Sequence, residues 1–208
     1  MSSSAQAKEF IARIAPIIQE EARARGYKVC SPIIAQACHE SGCDTSLLSY
    51  KYHNYHGLKC GSSWKGTSIN LKTKEEVNST LISIRDNFRT YPDMIAGVKG
   101  YFDFINTKRY ANLKTAETAE EYLRRIKADG YATSSSYVEK CMNYVRKFDL
   151  EKWDWKKEQP QEEKTIDEIA KEVIAGKWGN GAIRKQRLRA AGYNPAMIQA
   201  KVNDLLKR

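Results

Sequence analysis

No stretch of this 208-residue chain stays apolar for the ~20 positions a membrane-spanning helix requires. The start, Met1-Ser-Ser-Ser-Ala-Gln-Ala-Lys, lacks the basic-then-apolar pattern of a secretory signal. The expectation is a chain made in a cytoplasm, without membrane insertion. Histidine is scarce, at three residues, and the five cysteines (Cys30, Cys38, Cys43, Cys60, Cys141) show no CxxC spacing. That argues against a zinc ribbon, and no metal or cofactor is implied. The cysteines read as reduced, mostly buried thiols, with a Cys43–Cys60 bridge left open. Cys38 and His39 are adjacent on a predicted helix and point about 100° apart, which argues against a Cys–His nucleophile pair. Acidic residues are also short, 25 against 35 Lys and Arg, for a net charge of +10. Such a balance suits a polyanion: nucleic acid, anionic lipid or an anionic wall polymer.

What is present is enough for a folded protein: 41% hydrophobic and 10% aromatic residues. The most informative stretch is residues 31–46, Ser-Pro-Ile-Ile-Ala-Gln-Ala-Cys-His-Glu-Ser-Gly-Cys-Asp-Thr-Ser. Ser31 suits a helix N-cap, Pro32 the first helical position and Gly42 the stop. Ile33, Ala37 and Glu40 then share one face, with the carboxyl at the end of an apolar stripe. Desolvation and the negative end of the helix dipole both raise a carboxyl pKa there. A carboxylic acid that keeps its proton near neutrality is what a glycosidase uses to protonate a leaving oxygen.

Around this helix, Phe10, Ile14, Ile17 and Ile18 predict a helix kinked or restarted at Pro16 and ending near Gly26. Residues 52–91 change character. Ile69, Leu71 and Thr73 alternate with polar residues, and Ile82, Ile84 and Phe88 continue the period of two, predicting a small antiparallel hairpin with Glu75 at its tip. Helices return after Pro92, with capping boxes at Thr118–Glu121 and Ser136–Glu139. Helices around one small β lobe describe an α+β, lysozyme-like fold. Residues 1–153 form this unit and residues 154–164, charged and containing a proline, read as a linker. Residues 165–208 carry nine Lys or Arg against four Asp or Glu and predict a small three-helix bundle.

In sequence order, the 31–42 stretch, Asn54-Tyr-His-Gly57-Leu-Lys59, Thr73-Lys-Glu75, Phe88-Arg-Thr-Tyr91 and Gly130-Tyr-Ala-Thr133 with Tyr137 resemble glycoside hydrolase family 73 over about residues 8–150. These are peptidoglycan N-acetylglucosaminidases of autolysins, flagellar rod-cap hydrolases and phage lysins. Residues 169–184 and 188–193 resemble the CW-seven cell-wall-binding repeat. The resemblance implies an endolysin-like endo-β-N-acetylglucosaminidase cutting the N-acetylglucosaminyl–N-acetylmuramyl bond of bacterial peptidoglycan, acting on the wall after release by a partner such as a holin. It implies Glu40 as general acid, Glu75 as second carboxylate and Tyr131 as the cleft tyrosine. Asn54, Trp64 and Tyr137 are candidate sugar contacts, and Trp178, Asn180 and Arg184 candidate wall contacts. The chain departs from the family at Cys43, His56 and Ser134, which bear on sugar subsites more than on the acid. A muramidase or lytic transglycosylase on the same fold is an alternative. A non-enzymatic basic protein binding wall or nucleic acid is another, though no nucleic-acid motif is present.

Overall fold

The structure is a computed structural model that describes residues 3–77, 80–155 and 164–207, the side chains of residues 74–82 excepted. The chain divides into two compact units, Met1–Trp155 and Lys156–Arg208, each with its own apolar cluster. Among the described residues no helix is long and apolar enough to cross a membrane.

The first unit opens with α1 (Ser4–Ala24), started by a capping box between Ser3 and Gln6. Phe10, Ile11, Ile14 and Ile18 are its buried face. Pro16 sits inside one continuous helix instead of restarting it. A proline forfeits only one backbone bond, and the burial of this face outweighs that loss. Next comes α2 (Ser31–Ser41), of whose eleven residues nine are buried. Apart from Gln36, His39 and Glu40 its side chains are small or apolar, and it lies within the unit, packed by α1 and by elements from the C-terminal half. Its N-cap is Cys30 with no side-chain cap of its own, which corrects the expectation for Ser31. The cap is supplied from far away. Asp154 Oδ1 accepts from the backbone N–H groups of Cys30 (2.6 Å) and Ser31 (2.7 Å), and its Oδ2 accepts from the Ser31 hydroxyl at 2.7 Å. Asp154, given to the linker by composition, is thus tied to the helix that carries Glu40.

After the short α3 (Leu47–Tyr50), β1 (Ser68–Val77) and β2 (Thr80–Arg89) pair antiparallel. Ile69 faces Phe88, Thr73 faces Ile84 and Glu75 faces Ile82, with pairing continuing to Val77 and Thr80. Glu75 therefore lies within a strand, not at the hairpin tip. Glu76 and Val77 extend the ladder beyond it, paired with Leu81 and Thr80.

The helical half resumes with α4 (Met94–Ile105), α5 (Ala119–Ala128) and α6 (Tyr137–Phe148). Thr118 caps α5 as expected, but Ser136 makes no side-chain cap to α6. The second unit holds α7 (Ile166–Ile174), α8 (Gly181–Ala190) and α9 (Pro195–Leu205) around Ile169, Val173, Leu188, Ile198 and Val202.

Candidate active site

A cleft of roughly 1440 Å³ runs between the helices and the β lobe of the first unit. Glu40, Trp64, Thr73, Tyr131 and Tyr137 all line it. Glu40 is the penultimate residue of α2, which ends at Gly42 in the left-handed conformation with its N–H bonded to Cys38 O. That C-cap turns the chain away and leaves the carboxyl facing the cleft. On the opposite side the backbone comes close. Gly57 has a positive φ, and a β-carbon built there would lie 3.5 Å from Glu40 Oε2.

The environment raises the Glu40 pKa to about 7, with burial as the main cause and a hydrogen bond from the Tyr137 hydroxyl opposing it. The side chain also meets water in the open cleft, which offsets part of that desolvation. The upward direction is what the chemistry needs: a carboxyl that is still an acid near neutral pH.

Aromatic residues shape the surroundings. The Tyr137 hydroxyl accepts from Gln36 Nε2 at 2.7 Å. The Tyr131 hydroxyl donates to the His56 carbonyl at 2.7 Å, so its single hydrogen is committed to holding the loop beside Gly57. His56 is buried and stacked on Tyr101, with ring centroids 3.9 Å apart. Burial pushes its pKa down to about 3, so it is neutral through the physiological range. Trp64 donates from Nε1 to Thr67 O at 3.1 Å. The Arg89 guanidinium lies 4.6 Å from the centroid of the Trp64 ring.

Asn54 is not a sugar contact in this geometry. It is buried, its Oδ1 accepts from Leu58 N, and its Nδ2 donates to Leu58 O and Arg89 O. An amide so fully used inside staples the loop to β2 and has nothing left for a ligand. The Glu75 side chain falls outside the described residues. Asp103, an acid that does line the cleft, is paired with Arg25 at 2.8 Å. None of the five cysteines forms a disulfide, so the Cys43–Cys60 bridge does not form. No group of three His, Cys, Asp or Glu among the described residues is placed to hold a metal.

In the second unit, Trp178 Nε1 donates to Glu172 Oε2 at 3.0 Å and the ring meets Tyr193 edge-on. Arg184 holds Gly179 O and Asn180 Oδ1, both at 3.0 Å. The three predicted wall contacts are thus brought to one turn between α7 and α8.

Sequence reading missed Gln36, Tyr101 and Tyr122 as neighbours of the site. One signal was available. Gln36 stands four residues before Glu40 in an apolar helix, and a buried amide must find partners.

The glucosaminidase profile, described as mannosyl-glycoprotein endo-beta-N-acetylglucosaminidase, matches residues 15–150, and the CW_7 repeat matches residues 167–206. The peptidoglycan hydrolase FlgJ of Pseudomonas aeruginosa is 30% identical over 151 residues, which is 70% of this chain and 38% of that protein. The lysozyme of Streptococcus phage Cp-7 is 49% identical over 42 residues, 20% of this chain and 12% of the phage protein. Among solved structures, a peptidoglycan hydrolase mutant from Sphingomonas sp. A1 superimposes with a TM-score of 0.63 at 25% identity, covering 70% of this chain and 96% of that one. The chain spans less than half the length of both curated relatives.

Proposed function

The chain belongs to the glucosaminidase family, glycoside hydrolase family 73, and from that membership we propose that it hydrolyses the glycan strands of bacterial peptidoglycan at the N-acetylglucosaminyl–N-acetylmuramyl bond. The observation that carries the proposal is the Glu40 carboxyl, set in an open, glycan-sized cleft with its pKa raised to about 7. In this mechanism Glu40 gives its proton to the glycosidic oxygen as the bond to the anomeric carbon breaks. Glu75 on β1 is the carboxylate that activates water or stabilises the oxocarbenium ion. Trp64 offers a flat apolar face to a sugar ring. Tyr131, through the His56 carbonyl, holds the Gly57 loop against the acid. Residues 165–208 carry the CW_7 repeat and keep the enzyme on its insoluble substrate, with Trp178, Asn180 and Arg184 at the contact. Similarity to a phage lysozyme supports a finer reading, a phage-type endolysin that reaches the wall through a holin.

Glu40→Gln tests the core of this. The amide is nearly isosteric and cannot donate the proton, so wall lysis falls by about 10²–10⁴-fold while wall binding is kept. Retention of a tenth of the activity would place the acid elsewhere. For the wild-type enzyme, kcat/KM falls as pH rises through about 7, because the acid form is lost there. Mass spectrometry of fragments released from purified sacculi identifies the bond. Reducing-end N-acetylglucosamine is the expected product, and N-acetylmuramic acid in its place would make the enzyme a muramidase.

A further inference from the structure

Beneath Glu40 lies a run of hydroxyls and one amide drawn from four helices. Gln36 on α2 and Tyr101 on α4 are wholly buried, as is Tyr122 on α5, while Tyr137 opens α6. The Tyr101 hydroxyl donates to Gln36 Oε1 at 2.7 Å, and Gln36 Nε2 donates to the Tyr137 oxygen at 2.7 Å. Tyr101 has one hydrogen and gives it to Gln36, so its 2.8 Å contact with Tyr122 runs with Tyr122 as donor. Tyr137 accepts from the amide, which leaves its own hydrogen for another acceptor; its hydroxyl and Glu40 line the same cleft, near enough for the hydroxyl to favour the carboxylate.

We propose that Gln36 is a positioning residue: its amide fixes one direction for the whole chain, Tyr122 to Tyr101 to Gln36 to Tyr137, so that every hydrogen points toward Glu40. An amide is suited to this because it has an accepting end and a donating end and cannot reverse by moving a proton. Aligned donors polarise one another, and the last bond of such a chain is strengthened by those behind it. The proposal rests on the reading of Glu40 as the general acid. An acid that has given up its proton is left as an anion that meets water in the cleft but is desolvated on its protein side, and the chain stabilises that anion there. Without it, the carboxyl would hold its proton too tightly to give it up.

The other groups around Glu40 do not replace this donor. Tyr131 donates to His56 O. Cys141, on α6, is held protonated by burial and by the charge of Glu40. Its thiol is within hydrogen-bonding reach of Tyr137, but a thiol is a weaker acceptor than a carboxylate. His39, beside Glu40 on α2, has its pKa lowered by burial and by Lys140. The Gly57 backbone closes the remaining side.

The test is a substrate-free titration of the Glu40 side-chain carbon in carbon-13 glutamate-labelled full-length protein, the signal being assigned by its loss in Glu40→Gln. Tyr137→Phe raises the Glu40 midpoint by about one unit, since it removes the donor to the anion. Gln36→Met keeps the volume and raises it by about half as much, and Tyr122→Phe, the mildest change, shifts it in the same direction. Gln36→Met adds nothing once the Tyr137 hydroxyl is gone. A Gln36→Met protein with a lower Tm and an unmoved midpoint would reduce Gln36 to a space filler and overturn the proposal. So would a Gln36→Met shift of equal size with and without the Tyr137 hydroxyl. Because no substrate enters the measurement, these shifts in an enzyme that releases no wall fragments would sink the hydrolase reading and leave the chain of donors standing.

Discussion

His56 makes the case at the scale of single residues. The family resemblance places an aromatic there, and the structure shows what the imidazole does in its stead: it stacks on Tyr101 as an aromatic would. Its Nδ1 is buried without a hydrogen-bond partner, and such an atom costs about 1–3 kcal/mol. Its pKa in the fold, about 3, lies below the ordinary 6.5. Between those values the unfolded chain takes up a proton that the folded chain refuses, so stability present above pH 6.5 drains away as pH falls. His56→Phe keeps the stack and removes the titration. Thermal unfolding should find it near wild type or better at pH 8, and ahead by up to about 3 kcal/mol at pH 4. Equal losses at both pH values would mean the ring size matters more than the proton. At this scale the sequence was a partial guide. The place of Glu40 on the cleft wall was legible because helix periodicity sets it at an apolar edge, and that of Tyr131 and Tyr137 because they follow a glycine in a matching motif. Asn54 was misread because nothing in a sequence tells an amide that serves a loop from one that serves a ligand.

Among the elements, α2 is the one whose ends decide function. Its C-terminal turn presents Glu40, and its N-terminal turn is held by Asp154, 123 residues beyond Ser31. Caps of this kind contribute about 0.5–2 kcal/mol, and a charged acceptor sits at the upper end. Asp154→Ala should therefore lower stability by about 2 kcal/mol in denaturant melts, with Asp154→Asn recovering part of it through its remaining carbonyl. An Asp154→Ala protein as stable as wild type would mean water replaces the carboxylate without loss. The existence of α2 was plain from Pro32 and Gly42. Its cap was not, since a long-range partner leaves no local pattern. The same limit explains the helix across Pro16 and the extent of the hairpin. In both, tertiary packing and strand pairing override residues that locally read as breaks.

The whole molecule has two units with separate apolar clusters, and under the proposed function they divide the labour. Removing residues 165–208 should leave hydrolysis of soluble glycan fragments intact and strip most activity from intact walls, because the anchor acts through local concentration and not through the chemistry. The isolated tail, with nine cations against four anions, should bind walls less well as salt shortens the screening length below ~10 Å. A salt-resistant remainder should vanish in Trp178→Ala. Equal pull-down of the tail and the truncated enzyme would show that the tail anchors nothing. The shift in composition near residue 154 suggested a linker from that residue on, while the first compact unit runs to Trp155, since Asp154 has the composition of a linker and the contacts of a core. Its position also sets an order in time. Synthesis runs from the N-terminus, so the helix bearing Glu40 leaves the ribosome long before the carboxylate that closes its first turn. A nascent or prematurely stopped chain can hold every cleft residue and still lack that closure. The first turn of the helix bearing Glu40 is thus closed only after the last residues of the unit have been translated.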